Sequence, residues 1–354
     1  MKSLGNFPDP FIAEISGQPD ALRRAAAGVP DQVSALDEAL ELASGRTLIF
    51  TGMGSSYDAC YPAVAELADA GIPALQLDAA ELLHFREGLL GRGTLLIAVS
   101  QSGESAETVR VSERARGAGM PVISVTNGTG STLARLAGAA LDTRVGTETG
   151  PSSMTFAAAL VVVGALGRRL AGAVREEVGR SAVMAAETAA LSLETLLSDQ
   201  TLADRIAAWH DGRDTTVILG RGPARAAAEM GSLTIKEAVG MMVESLQTAQ
   251  FRHGPLELAG PGLAAIVLAT EPETRDLDVA LARELTELAA AVLVVTQEPA
   301  GIDGVLNVVT GSLDRTVRPA VAILPAQLLA WKLAIARGRE PGAYYRASKV
   351  TTHE

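Results

Sequence analysis

The chain alternates short apolar runs with longer amphipathic stretches. Thr47–Thr51, Ala74–Leu77, Leu95–Val99, Val122–Thr126 and Ala140–Thr143 are runs of this kind, and polar turns follow them. Leu95–Val99 is continuous and apolar, which predicts a strand buried on both faces; the others predict strands too, Ala140–Thr143 a weak last one. Between them, 57–70, Ala79–Phe85, 107–117 and Leu133–Leu136 carry apolar residues at helical spacing. Ahead of the first strand, Ala21–Ala27 and Val33–Leu42 predict helices broken at Gly28-Val29-Pro30. Thr155–Leu170 predicts an apolar helix, and 174–210 one or two long, Ala-rich ones. Strand and helix in alternation predict an α/β fold, a parallel sheet with helices on both faces.

The pattern then repeats. Thr216–Gly222 echoes Leu48–Gly54, Ala264–Ala269 echoes Leu95–Val99, and Val292–Thr296 echoes Val122–Thr126. The common offset of about 170 residues is that of a duplicated domain. A long helix is expected over Ala224–Met242, and a turn at Phe251–Leu256. The echo is of architecture and not of chemistry. Leu95–Val99 runs into Ser100-Gln101-Ser102-Gly103-Glu104-Ser105, whereas Ala269 runs into Thr270-Glu271-Pro272-Glu273. The first loop offers hydroxyls and an amide at the start of a helix, where free backbone N–H groups and the positive dipole end favour an anion. It contains no Lys or Arg, so a phosphate there would be held by N–H and O–H groups. The second loop, with acidic groups in place of serines, is expected to repel phosphate. A hydroxyl-rich helix cap that binds nothing is the alternative reading of the serine loop. Gly52-Met53-Gly54-Ser55-Ser56-Tyr57 is a second strand-to-helix turn, weak evidence alone but positioned to share the same strand ends.

Composition narrows the class. With 354 residues the chain is long enough for two cores, and a net charge of −11 argues against a nucleic-acid partner. Cys60 is the only cysteine, which excludes an internal disulfide and suits a reducing, cytoplasmic setting. Met1–Asp9 has no apolar signal core, and the run Phe156–Leu166 is too short to span a bilayer, so no membrane partner is expected. The histidines, His84, His210, His253 and His353, show no metal-ligand spacing.

Gly54-Ser55-Ser56-Tyr57, Ser100–Thr108, Gly146-Thr147-Glu148, Gly220-Arg221-Gly222, Lys236-Glu237 and Arg252-His253-Gly254-Pro255-Leu256 together resemble the tandem sugar isomerase (SIS) domain family. The nearest likeness is to the isomerase half of glucosamine-6-phosphate synthase and to stand-alone amino-sugar-phosphate deaminases and deglycases. Gln18-Pro19 and Ser348–Thr351 extend it almost end to end. The resemblance implies two tandem SIS domains, each a parallel five-stranded sheet between helices, an αβα sandwich of flavodoxin-like form. The expected organisation is a helical lead at 1–45, a first domain at 46–190, a helical linker at 191–212, a second domain at 213–335 and a tail at 336–354.

Site residues follow by the same resemblance. Ser55, Ser56, Ser100, Gln101, Ser102 and Ser105 match sugar-phosphate binders, and Pro151 and Ser153 lie where the sugar is touched. Glu237 matches the carboxylate that moves a proton between C1 and C2. His253 matches a ring-opening histidine contributed across a homodimer, and Lys349 an active-site lysine of the tail. Read without the family, Glu237 is more often a solvated helix carboxylate and His253 more often a turn residue, while Ser152 and Ser153 serve as readily as helix caps. The implied activity is a phosphosugar deaminase or isomerase with no metal or organic cofactor. Its expected substrate is glucosamine 6-phosphate or a related amino sugar. Isomerisation of another phosphorylated or sulfonated sugar, deglycation of fructosamine 6-phosphate, and ligand sensing without chemistry are the alternatives. Two departures stand out. The synthase carries an amide-cleaving domain with an N-terminal cysteine ahead of this region; here a short helical lead stands there and Cys60 is internal, so glutamine-driven synthesis is not expected. Its catalytic helix also bears a Glu and a Lys where this chain has Met230 and Thr234, which points towards the deaminase, deglycase and isomerase group.

Overall fold

A computed structural model describes residues 10–346 and 348–353. The chain divides into two compact units. One, holding the first sheet, comprises Asp20–Thr147, Met154–Glu187 and the tail from residue 348. The other comprises residues 10–19, Glu148–Ser153 and Thr188–Arg346.

The first sheet is β1 (Thr47–Thr51), β2 (Ala74–Gln76), β3 (Thr94–Val99), β4 (Val122–Thr126) and β5 (Ala139–Asp142). All five pair in parallel, in the order β2-β1-β3-β4-β5. β3 is central, and Leu95 to Val99 are buried on both faces, as the run of apolar residues requires. One face carries Ala79–Phe85 and Ala106–Gly117, whose Leu82, Val111 and Ala115 meet Leu96 and Ala98 in one cluster. Elsewhere in the unit, Val33–Ala43 and Tyr61–Asp69 pack on the almost wholly buried Met154–Leu170 helix. The single helix expected at 57–70 is two, Ser55–Asp58 and Tyr61–Asp69. Pro62 lies in the first turn of the second, where its missing N–H costs nothing.

The second sheet is β6 (Thr215–Gly220), β7 (Glu244–Gln247), β8 (Leu263–Ala269), β9 (Ala291–Thr296) and β10 (Leu306–Val309). Its order, β10-β9-β8-β6-β7, is the same permutation as the first sheet. The helix expected at Ala224–Met242 ends at Val239, because Gly240 adopts φ 66° and closes the last turn on the Lys236 carbonyl. That stop releases the chain to form β7. The helix Leu324–Ala336 packs with both Ala224–Val239 and Leu202–His210 in this unit, while Arg275–Glu287 packs on β8 and β9. The stretch Arg318–Ala336 is long and apolar enough to cross a membrane, yet 78% of it is buried inside the protein.

Candidate active site

The serine loop sits at the carboxyl end of β3, where open α/β sheets bind ligands. Ser100 is buried, and its Oγ lies 3.1 Å from Ser105 Oγ and accepts from the Gly103 N–H at 3.2 Å. Ser105 occupies the N-cap position of Ala106–Gly117, but its hydroxyl makes no capping bond. The hydroxyl is turned into the loop instead, so the simple cap reading of Ser105 fails. Ser102 Oγ accepts from the Glu104 N–H at 3.1 Å. Gly103 has φ 65°, and a Cβ there would stand 2.2 Å from Ser131 Oγ, so only glycine permits this close turn.

The turn after β1 joins the same place. The Gln101 N–H donates to Ser56 Oγ at 3.3 Å, and Ser55, Ser56, Gln101, Thr126, Thr143 and Thr155 line one narrow pocket. The tail arrives here too: the Thr351 carbonyl accepts from the Ala106 N–H at 3.1 Å, and half-buried Lys349 lies two residues before it. Ser55, Ser56, Ser100, Gln101, Ser102, Ser105 and Lys349 therefore belong to one unit. Cys60, adjacent in sequence, is buried and donates to the Ser56 carbonyl at 3.3 Å. Burial raises its thiol well above the ordinary range, which makes it unreactive.

The remaining predicted residues lie in the other unit. Glu237 is half-buried on the last turn of Ala224–Val239, beside exposed Lys236. Met230 and Thr234, on the same helix, are fully buried. Pro151 is buried, and so is Ser153, whose N–H and Oγ both donate to Glu148 Oε1, at 2.8 and 3.0 Å. His253 is exposed on the turn that follows Thr248–Phe251.

Two further residues had no sequence signal. Glu14 accepts from the Thr149 N–H at 2.6 Å, from Thr149 Oγ1 at 2.9 Å and from the Gly150 N–H at 3.0 Å. It thus pins the loop that carries Pro151 and Ser153. Tyr344 donates to the Gly150 carbonyl at 3.3 Å. Burial raises its phenol above the ordinary range, and the negative fields of Glu237, Glu148 and Glu14 raise it further.

The second duplicate has closed its counterpart of the serine loop. Glu271 is buried and paired with Arg318 at 2.6 Å, and Arg318 also donates to the Leu313 carbonyl at 2.9 Å. Arg221, in the turn after β6, pairs with fully buried Asp278 at 2.6 Å. Burial raises both carboxyls, and the arginines pull them back. Glu271 therefore does not stand as an exposed charge: the loop is filled by the chain's own ion pair.

The chain is similar in sequence and fold to known proteins. The SIS domain family matches residues 41–169 and 212–303. The chain is 28% identical over 360 residues to a glutamine–fructose-6-phosphate aminotransferase (isomerizing) of Pyrobaculum aerophilum, with 100% of this chain and 59% of the relative covered. A relative of the same name from Aeropyrum pernix is 30% identical over 378 residues, with 99% and 58% covered. The chain thus spans about three fifths of the length of these relatives. Among solved structures, the C-terminal domain of glucosamine-fructose-6-phosphate aminotransferase from Francisella tularensis superposes with TM-score 0.83 at 22% identity, covering 96% of this chain and 98% of that one. Tagatose-6-phosphate ketose/aldose isomerase from Escherichia coli gives 0.80 at 20%, covering 95% and 97%. Glucosamine-6-phosphate deaminase from Thermotoga maritima gives 0.72 at 21%, covering 96% and 99%. With two matched segments, one in each half of a duplicated parallel α/β chain, the protein belongs to the SIS domain family.

Proposed function

We propose that the chain is a phosphosugar deaminase or isomerase that acts on glucosamine 6-phosphate or a related 6-phosphorylated amino sugar. The observation that carries this reading is the serine loop. Ser56, Ser100, Gln101 and Ser105 come together at the ends of β1 and β3, with Ser102 in the same loop, and Ser105 Oγ faces Ser100 instead of capping its helix. Such a cluster of neutral donors suits a tetrahedral oxyanion, and holding the phosphate fixes the sugar for reaction at its far end.

In this reading His253 assists ring opening and exposes the C1 aldehyde. Glu237 takes the C2 proton and returns it to C1 through an enolamine. The electron pair released at C2 is stored on the substrate's own carbonyl, so the reaction calls on no metal or organic cofactor. C2 becomes an imine, water adds to it, and ammonia leaves with fructose 6-phosphate as the other product. Lys349 stabilises the negative charge that develops on oxygen. Pro151 and Ser153 shape the loop beside the sugar, Ser153 through its bonds to Glu148. The enzyme is proposed to work in the cytoplasm as a homodimer in which His253 serves the neighbouring subunit's site.

The burial of Met230 and Thr234, where the synthase has a Glu and a Lys, supports deamination over synthase-type chemistry. A second reading is aldose–ketose isomerisation of another phosphorylated or sulfonated sugar; the absence of a cation from the loop supports it, since hydroxyls accept either anion. Incubation with glucosamine 6-phosphate decides between them: ammonia released one-for-one with fructose 6-phosphate is expected, and turnover of fructosamine 6-phosphate would mark a deglycase. Glu237→Gln is expected to lower turnover at least 10³-fold while ligand binding stays within about threefold. Turnover surviving in that variant would place the base elsewhere, and binding without turnover across a panel of hexose phosphates would leave a sensor.

A further inference from the structure

Gly150 is held from both sides. Its N–H is bound by Glu14 and its carbonyl by Tyr344, so residues 14, 150 and 344 form one hydrogen-bonded chain. Glycine makes the approach possible. A Cβ at Gly150 would stand 2.8 Å from Glu14 Oε2, and one at Gly342 would stand 2.8 Å from Phe11 Cβ and 3.6 Å from Pro151 Cδ. Gly342 has φ 78°, so the tail turns there as well as packing. The next residue along is tied down separately: Tyr345 Oη accepts from the Glu340 N–H at 2.8 Å, and Arg339 lies 4.3 Å from its ring centre. The first half of the tail is therefore anchored, residue by residue, in the unit that holds Glu237. Its second half, with Lys349, is bonded at Thr351 to Ala106 at the head of the serine-loop helix.

We propose that Tyr344 is a positioning residue for the reaction: by latching the tail to Gly150 it fixes where the chain departs towards Lys349, and it acts through that lysine. The proposal rests on the role given to Lys349 above. Tyr344 suits the task because a phenol is a neutral donor at neutral pH and adds no charge beside Glu237, Glu148 and Glu14. A phenylalanine would pack but could not latch.

Two measurements test it. In amide exchange, Tyr344→Phe should speed exchange of Ala106, whose N–H the tail holds, by about fivefold, the loss of one hydrogen bond, and leave β3 and β8 unchanged. Gly342→Ala, which blocks the same approach without touching the hydroxyl, should give the same pattern. Unchanged protection of Ala106 in both variants overturns the latch. In turnover, Tyr344→Phe should lower kcat about fivefold with KM within twofold, and add no further loss in a Lys349→Ala background. Full additivity of the two losses would overturn the route through Lys349. A Lys349→Ala enzyme as active as wild type would instead remove the role given to the lysine, and with it the route, while the exchange result still decides the latch.

Discussion

Ser105 shows how one hydroxyl separates two readings of a loop. At an N-cap position a serine normally binds the N–H groups of the first turn, and its loss costs about 1 kcal/mol of stability. Here Ser105 makes no such bond and faces Ser100 at 3.1 Å. Ser105→Ala should therefore leave the thermal midpoint within about 2 °C of wild type. It should weaken binding of fructose 6-phosphate about tenfold, the worth of a hydrogen bond to a charged group. Calorimetry on one sample gives both numbers, and a large fall in midpoint with unchanged affinity would restore the capping role. The serines were legible because local sequence places them, between a buried strand and a helix start. Glu14 and Tyr344 were not. Each meets Gly150 across well over a hundred residues, and nothing local to Glu14 or Tyr344 marks the meeting. Lys349 and Glu237 sit between these cases: their positions were read by resemblance, and their chemistry is proposed on it.

At the level of elements, the first sheet was plain throughout, whereas in the second the central strands were plain and the edge strands were not. β3 and β8 are buried on both faces and appear as unbroken apolar runs. β7 and β10 lie at the sheet's edges, each with one or no residue buried, and their sequences, Glu244–Gln247 and Leu306–Val309, lack such a run. The resemblance supplied their number, and the structure supplied their places. The helix overrun into Met242 has a similar cause, since Met241 and Val243 are apolar and only the left-handed Gly240 marks the stop. The turns after β6 and β8 carry the sharper lesson. The loop Thr270–Glu273 suggested repulsion of phosphate. Glu271 is buried and paired with Arg318, while Glu273 stays exposed and pairs with Arg315. In the neighbouring helix Asp278 pairs with Arg221. Removing one partner leaves a buried charge. Arg318→Met should destabilise the fold by roughly 3–5 kcal/mol, whereas Arg318→Met with Glu271→Leu should recover most of that loss. Urea unfolding of the two variants measures the difference, and equal stabilities would show that the pair is not coupled.

Across the whole molecule, the proposed function divides labour between two copies of one fold. Both sheets keep one strand order, yet only the first keeps an open loop of neutral donors, and the second fills its own with ion pairs. The overall charge of −11 gives no general pull on an anionic sugar, so the proposed capture would depend on the local donors of the serine loop. His253 bears on assembly. It is exposed, as are its neighbours Arg252 and Gly254, and an exposed ring can serve catalysis only where something covers it. A second copy of the chain is the proposed cover, and the arithmetic of mixed dimers tests it. His253→Ala and Glu237→Gln chains are each expected to be inactive. If each site takes its histidine from one subunit and its carboxylate from the other, a mixed dimer has one doubly altered site and one intact site. Random exchange at equal amounts makes half the dimers mixed, so about a quarter of wild-type activity should return. If both groups come from one chain, every site in the mixed dimer keeps one defect and no activity returns. Subunit exchange must be driven, by mild denaturant and dilution, and the return of activity must track the fraction of mixed dimers. A sedimentation measurement that finds only monomer at assay concentration would remove the shared site altogether, and with it the role given to His253.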